Sequence, residues 1–166
     1  MPAANLDKLF HDTLRDVYYA ERKILQALKK NIRAAQSAEL KQAFETHREE
    51  TEGQIERLQQ VFETIGKRAQ GKTCAAMDGI IEEAEEIMEE YKDSAALDAG
   101  LLAAAQAIEH YEITRYGTLA AWARQLGNAE GERLLRETLA EEERTDKILT
   151  DLAEATINAA AEQKAA

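Results

Sequence analysis

The chain has 166 residues, 45% of them hydrophobic and 32% charged, with a formal net charge of −11; that is enough for one domain with its own core. The acidic balance argues against general binding to nucleic-acid phosphates. No apolar run approaches the ~20 residues of a membrane span and no signal-peptide apolar region opens the chain, so a cytoplasmic protein without nucleic-acid or membrane partners is expected.

Proline occurs only at Pro2 and aromatic residues are scarce, the composition of long helices. A first helix is predicted from about Leu6 to Arg33, capped by Asn5. Its inner stripe runs Leu6, Phe10, Leu14, Val17, Glu21, Ile24, Leu28, Ile32, in steps of three and four. A short turn follows, and Ser37 caps a second helix that runs to Ile65 and stops at Gly66. Its stripe includes Leu40, Phe44, His47, Glu50/Thr51, Gln54, Leu58 and Val61. Residues 67–73 form a basic loop before a shorter helix near Ala75 to Tyr91. The glutamates of that helix, from Glu82 to Glu90, read as a solvated face.

A fourth helix is predicted from about Ala95 to Leu126, its stripe including Leu102, Ala105, Glu109, Glu112, Tyr116 and Leu119. Gly127-Asn128 makes the next turn. A fifth helix runs from Ala129 towards Ile157 with Leu135, Leu139, Glu142, Asp146 and Leu149 inward, and the tail beyond about 157 is expected to fray. Two short turns make two antiparallel hairpins, and the segment 66–94 is long enough to cross the bundle end to end with its own helix outside. The expected fold is therefore all-α: a single ferritin-like four-helix bundle over residues 1–166 with one long crossover.

Six acids lie on these inner stripes with no Lys or Arg beside them: Glu21, Glu50, Glu109, Glu112, Glu142 and Asp146. Buried carboxylates are rare without a partner. Glu21 and Glu50 lie about 14.5 residues either side of the first turn, roughly 22 Å along their helices at ~1.5 Å per residue. Glu112 and Glu142 lie at nearly the same height in the second hairpin. The pattern suggests an internal two-fold repeat, with Glu21 matched to Glu112, Glu50 to Glu142 and Gln54 to Asp146. Two like charges at ~4 Å repel by roughly 4 kcal/mol at an effective dielectric of about 20. Protonation would relieve part of this; a dinuclear metal centre would relieve most of it. Oxygen-rich donors on a four-helix bundle point to iron or manganese.

The segments Asp16-Val17-Tyr18-Tyr19-Ala20-Glu21, Thr46-His47-Arg48-Glu49-Glu50-Thr51 with its continuation to Leu58, Cys74-Ala75-Ala76-Met77-Asp78-Gly79, Ile108-Glu109-His110-Tyr111-Glu112 and Glu137-Thr138-Leu139-Ala140-Glu141-Glu142 resemble the bacterial YciF family across nearly the whole chain. The resemblance implies a ferritin-like protein with kinship to rubrerythrin-type bundles: a cytosolic, stress-associated homodimer with a dinuclear metal site. It implies Glu21, Glu50, Glu112 and Glu142 as the four core ligands, with Glu50 and Glu142 bridging and Glu109 as an extra ligand. The chain departs from the usual Glu-x-x-His pattern of such sites. Asp146 stands where the last-helix histidine would lie, and Gln54 follows Glu50 as at best a weak carbonyl ligand.

Among the remaining polar residues, His47 reads as a hydrogen-bonded neighbour of the ligands rather than as a ligand. His110 reads as an interface or surface residue and His11 as exposed. Tyr18, Tyr111 and Tyr116 read as packing before a redox role near a metal pair, and Trp122 as packing or interface. Cys74, the one cysteine, can form no intrachain disulfide and reads as a small buried apolar residue. Two functions follow: Fe(II) binding or oxidation, or peroxide handling, at a di-metal centre; or a non-catalytic helical dimer or scaffold with a degenerate site.

Overall fold

The computed structural model describes residues 4–163. Five long helices appear in the predicted order: α1 Leu6–Ala34, α2 Ala38–Thr64, α3 Ala75–Glu90, α4 Leu97–Gln125 and α5 Ala129–Leu152. Their starts follow local chemistry. Asn5, Ser37 and Asn128 each accept a backbone N–H of the first turn with the side chain, removing an otherwise unpaired donor. Cys74 caps α3 in the same way through its sulfur. Helix α4 begins two residues later than the sequence pattern suggests, because Ser94 accepts from the backbone of Ala96 and a tight turn runs from Ser94 to Leu97.

α2 and α4 end alike. Gly66 and Gly127 take φ of +64° and +74°, and the next residue closes the turn: Lys67 N–H donates to Phe62 O at 3.0 Å and Asn128 N–H to Ala123 O at 2.8 Å. Only glycine takes that backbone region without steric cost. The α1–α2 turn is held from outside the hairpin. Asp98 on α4 accepts from the backbone N–H groups of Gln36 and Ser37, at 2.8 and 2.7 Å.

α1, α2, α5 and α4 form the bundle, each packed on two neighbours. The crossover carries α3 onto α1 and α4, where Tyr19 donates to Asp78 and Lys30 pairs with Glu85. Its glutamates from Glu82 to Glu90 are exposed, as expected. The chain stays helical past the end of α5 as far as Ala161. A π-helical turn, Ala153–Ile157, continues α5 into a last helical turn, α6 Asn158–Ala161, and Ala153 and Ile157 are buried against the bundle. The end of that predicted tail, residues 164–166, lies outside the described residues.

The core is split in two. One cluster, around Ile24, Leu28, Phe44, Leu101 and Leu149, fills the end nearest the α1–α2 turn. The other, around Phe10, Leu14, Leu58, Phe62, Leu119 and Leu135, fills the opposite end. Each of these side chains contributes roughly 1.5–3 kcal/mol by leaving water. Between the clusters lies a layer of buried polar residues. The buried positions of all four bundle helices alternate in steps of four and three: Leu14, Val17, Glu21, Ile24, Leu28 on α1; Phe44, His47, Thr51, Gln54, Leu58 on α2; Ala105, Glu109, Glu112, Tyr116, Leu119 on α4; Leu135, Thr138, Glu142, Thr145, Leu149 on α5. That 3.5-residue repeat keeps one stripe of each helix on the bundle axis.

Candidate metal centre

Four donors meet at the middle of the bundle. Single ligand atoms from His47, Glu109, Glu112 and Glu142 all lie within 4.8 Å of one another. The three glutamates are 0% exposed and His47 is 3% exposed. Glu21, also fully buried, closes the group from α1, its Oε1 accepting a hydrogen bond from the Tyr116 hydroxyl. Five buried donors thus come from four helices, four of them carboxylates.

These groups lack hydrogen-bond partners. Seven carboxylate oxygens of Glu21, Glu109, Glu112 and Glu142 have none, nor has either ring nitrogen of His47. His47 Nε2 comes to 3.1 Å from Glu109 Oε1 and 3.8 Å from Glu142 Oε2, but the first contact is not aligned as a hydrogen bond. A buried polar atom without a partner costs about 1–3 kcal/mol. The electrostatics agree with the geometry. Burial, with the Glu142 charge added, pushes Glu21 up to about 8. Burial raises Glu109 and Glu112 well above the carboxylate range, again with Glu142 adding to it. Burial also holds the His47 imidazole below its usual value, against the pull of Glu142 and Glu50. A neutral imidazole with a free lone pair is the form that ligates metal. Four carboxylates and one neutral imidazole are donors that fit a metal ion, whose positive charge would offset the carboxylates once they give up their protons.

Not every expected ligand joins the group. Glu21, Glu109, Glu112 and Glu142 are brought together. Glu50, expected to bridge, sits at the edge with a side chain 24% exposed, accepting from Thr145 at 3.1 Å and paired with Arg144 at 3.4 Å. Asp146 is 23% exposed on the other flank of α5, paired with His110 at 3.1 Å and accepting from Gln106 at 3.2 Å. The reason is helical phase. The inner repeat of α2 passes through His47, Thr51 and Gln54, and that of α5 through Glu142 and Thr145. Glu50 and Asp146 fall one position off it. The internal repeat is correspondingly looser than the sequence suggests, because His47 rather than Glu50 reaches Glu142.

His47 is the donor that the sequence reading placed only as a neighbour. The strict four-three spacing from Phe44 to Leu58 carried the signal. Gln54 is fully buried, and its amide nitrogen donates to Glu141 Oε2 at 3.0 Å. A carboxylate can only accept here, so the amide oxygen must face the other way, where it is buried and unpartnered. Glu141 is itself fixed by Arg57, which donates to both its oxygens and to Thr138. Tyr116 is inside, against Glu21, rather than mere packing. Tyr18 packs edge-on to Phe62, and Tyr111 shares a 3.0 Å hydrogen bond with Cys74. Cys74 is buried, as expected. Trp122 is partly buried beside the second cluster. His110 is exposed, as expected. His11 is instead half-buried, edge-on to Phe62 with ring centroids 6.1 Å apart.

Comparison with known proteins places this architecture. The family profile described as a domain of unknown function, DUF892, matches residues 5–162. Protein YciF of Escherichia coli K12 is 47% identical over 166 residues, covering 99% of this chain and all of that protein. Among solved structures, the E. coli stress protein YciF superposes with a TM-score of 0.89 at 46% identity, covering 94% of this chain and 99% of that one. YcfI of Rhodopseudomonas palustris superposes with a TM-score of 0.86 at 45% identity, covering 90% and 95%. A protein from Xanthomonas campestris shares the fold at 22% identity, with a TM-score of 0.72.

Proposed function

The chain belongs to the YciF family (DUF892), and from that premise we propose that its buried polar layer is a dinuclear iron or manganese centre serving the bacterial stress response. The supporting observation is the set of partnerless donors: seven carboxylate oxygens and both nitrogens of His47, sealed between two apolar clusters. His47, Glu21, Glu109, Glu112 and Glu142 would hold the ions, with the Gln54 amide oxygen as a further neutral donor. A bound pair of redox-active ions supplies the chemistry for Fe(II) oxidation or peroxide handling. The protein's part is to shape the donors. Tyr116 fixes Glu21, Arg57 and Glu141 fix Gln54, and the apolar clusters keep water from the ends of the site. The E. coli relative is named as a stress protein, which supports the setting. A homodimer is the assembly the family resemblance implies, and light scattering at twice 18.5 kDa would bear it out.

The test is metal loading. Protein incubated anaerobically with Fe(II) or Mn(II) and desalted should retain about two ions per chain, the count of a carboxylate-bridged pair. Its melting temperature should rise, because a ligand that binds only the folded state stabilises it. Glu142→Gln and His47→Ala should lose ions. No retained metal and an unmoved melting temperature would end the proposal. A second reading, a non-catalytic scaffold, is favoured by the single imidazole among the donors and by the suggestion that YcfI is a structural protein. Metal retention without turnover of Fe(II) or peroxide would select it.

A further inference from the structure

A buried centre needs a way in. Between α2 and α5 a groove of about 300 Å³ runs from the surface down to His47. Its walls carry Glu39, Glu50, Thr145, Ile148 and Leu149 and no Lys or Arg. A larger depression of about 450 Å³ at the Phe10 end of the bundle touches none of the cluster. The groove is a surface opening lined at its floor by a residue of the centre, His47, whose two ring nitrogens lie covered just beneath it. At its floor His47 is 3% exposed with both ring nitrogens unpartnered.

Glu50 stands above that floor, one helical turn from His47. Its carboxylate is held only by Thr145 at 3.1 Å and by Arg144 at 3.4 Å, an arginine that is itself 57% exposed. Exposed pairs of this kind are weak, so a divalent cation arriving at Glu50 would displace Arg144. The next donor inward is His47, and beyond it lie Glu109 at 3.1 Å and Glu142 at 3.8 Å. Carboxylates at the throat of a groove with apolar walls concentrate their field along it.

We propose that this groove is the cation port of the centre, with Glu50 the relay carboxylate that passes divalent ions to His47 and Arg144 the latch that covers Glu50 between arrivals. The proposal rests on the metal-centre reading above. It also gives Glu50 a role that its position off the inner repeat allows: a transfer site rather than a resident ligand.

Stopped-flow uptake of Co(II) by metal-free protein, followed by its visible absorbance, tests the port, the relay and the latch separately. Glu50→Gln removes the relay charge, and Ile148→Trp plugs the groove at an exposed position. Both should slow uptake by about tenfold or more while the final amount of bound Co(II) stays that of the wild type. Arg144→Gln should speed uptake, and a wild-type rate in that variant would overturn the latch. Glu86→Gln, on the solvated face of α3, removes the same charge elsewhere and should leave the rate unchanged. Wild-type rates in Glu50→Gln and Ile148→Trp would overturn the port, as would an equal slowing in Glu86→Gln. Loss of an ion at equilibrium in Glu50→Gln would overturn the relay role by making Glu50 a ligand. A wild type that takes up no Co(II) would instead overturn the metal centre itself.

Discussion

The apolar ends of the bundle and its polar waist are built on the same four helices and the same four-three repeat, yet they act on stability in opposite directions. At the ends the inner positions are Leu, Phe, Ile and Ala, each burying surface and leaving nothing unpaired. At the waist the same positions hold glutamates, His47 and Gln54, and most of their polar atoms lack partners. The ends hold the fold together, and the fold in turn keeps the waist in a geometry it would not adopt alone. A site of this kind is costly without its ligand and stabilised by it.

The largest effect should come from breaking an end. Phe44 is 1% exposed in the first cluster, and Phe44→Ala should cost about 3–5 kcal/mol by lost burial and cavity formation, read by chemical denaturation. Next comes pH, which acts mainly on the waist through its glutamates, opposed by the lowered His47 there and the lowered His11 at the Phe62 end. Glu21 is pushed up to about 8, and Glu109 and Glu112 are raised well above their usual value, all chiefly by burial. The folded state therefore binds more protons than the unfolded chain, so stability is fully present below the unfolded carboxyl pKa and is lost as pH rises towards about 8. The slope is about 1.4 kcal/mol per pH unit for each such group. Metal-free protein should melt at lower temperature at pH 8 than at pH 5. Metal-loaded protein should not, because its ligands have already given up their protons. A metal-free melting temperature that rises with pH over this range would contradict the picture.

The ends were legible in the sequence and the waist was only half so, for a physical reason. Apolar residues tolerate a loose reading of helical phase, since Leu40, Phe44 and Leu58 remain inward whether the period is taken as 3.5 or 3.6. Polar residues do not. Glu50 and His47 lie a single turn apart on α2, and which of them faces Glu142 depends on a rotation well under one residue. Taken simply as acids on a stripe, Glu50 and Asp146 qualify; followed along the bundle repeat, Thr51 and Thr145 replace them and His47 faces the glutamates. Glu21, Glu109, Glu112 and Glu142 satisfy both readings and are all buried. The pairing of Arg57 with Glu141 that orients Gln54 has no signal in the sequence, because it joins side chains more than eighty residues apart.

The third effect would sharpen the comparison by making the waist resemble an end. Glu112→Leu replaces a fully buried carboxyl with an apolar side chain of similar size. It should stabilise metal-free protein by about 2 kcal/mol, as replacement of buried ionic groups by apolar ones often does. The same variant should lose the stabilisation that Mn(II) or Fe(II) gives the wild type. A destabilised metal-free Glu112→Leu would show that the carboxyl is satisfied without metal, and that the waist is an ordinary polar core.

The smallest effect concerns where the waist stops. Asp146 lies one position off the inner repeat, 23% exposed, and its charge faces the exposed His110. A pair so placed contributes less than about 1 kcal/mol. Asp146→Asn keeps the shape and removes the charge, so it should shift stability by no more than that and leave the number of retained ions unchanged. Glu142→Gln, one turn earlier and fully buried, should lose metal under the same loading. If the two variants lose metal equally, the acid stripe rather than the bundle repeat defines the site. α5 would then have to rotate on loading, carrying Asp146 from His110 towards Glu109, whose raised carboxyl already feels its charge.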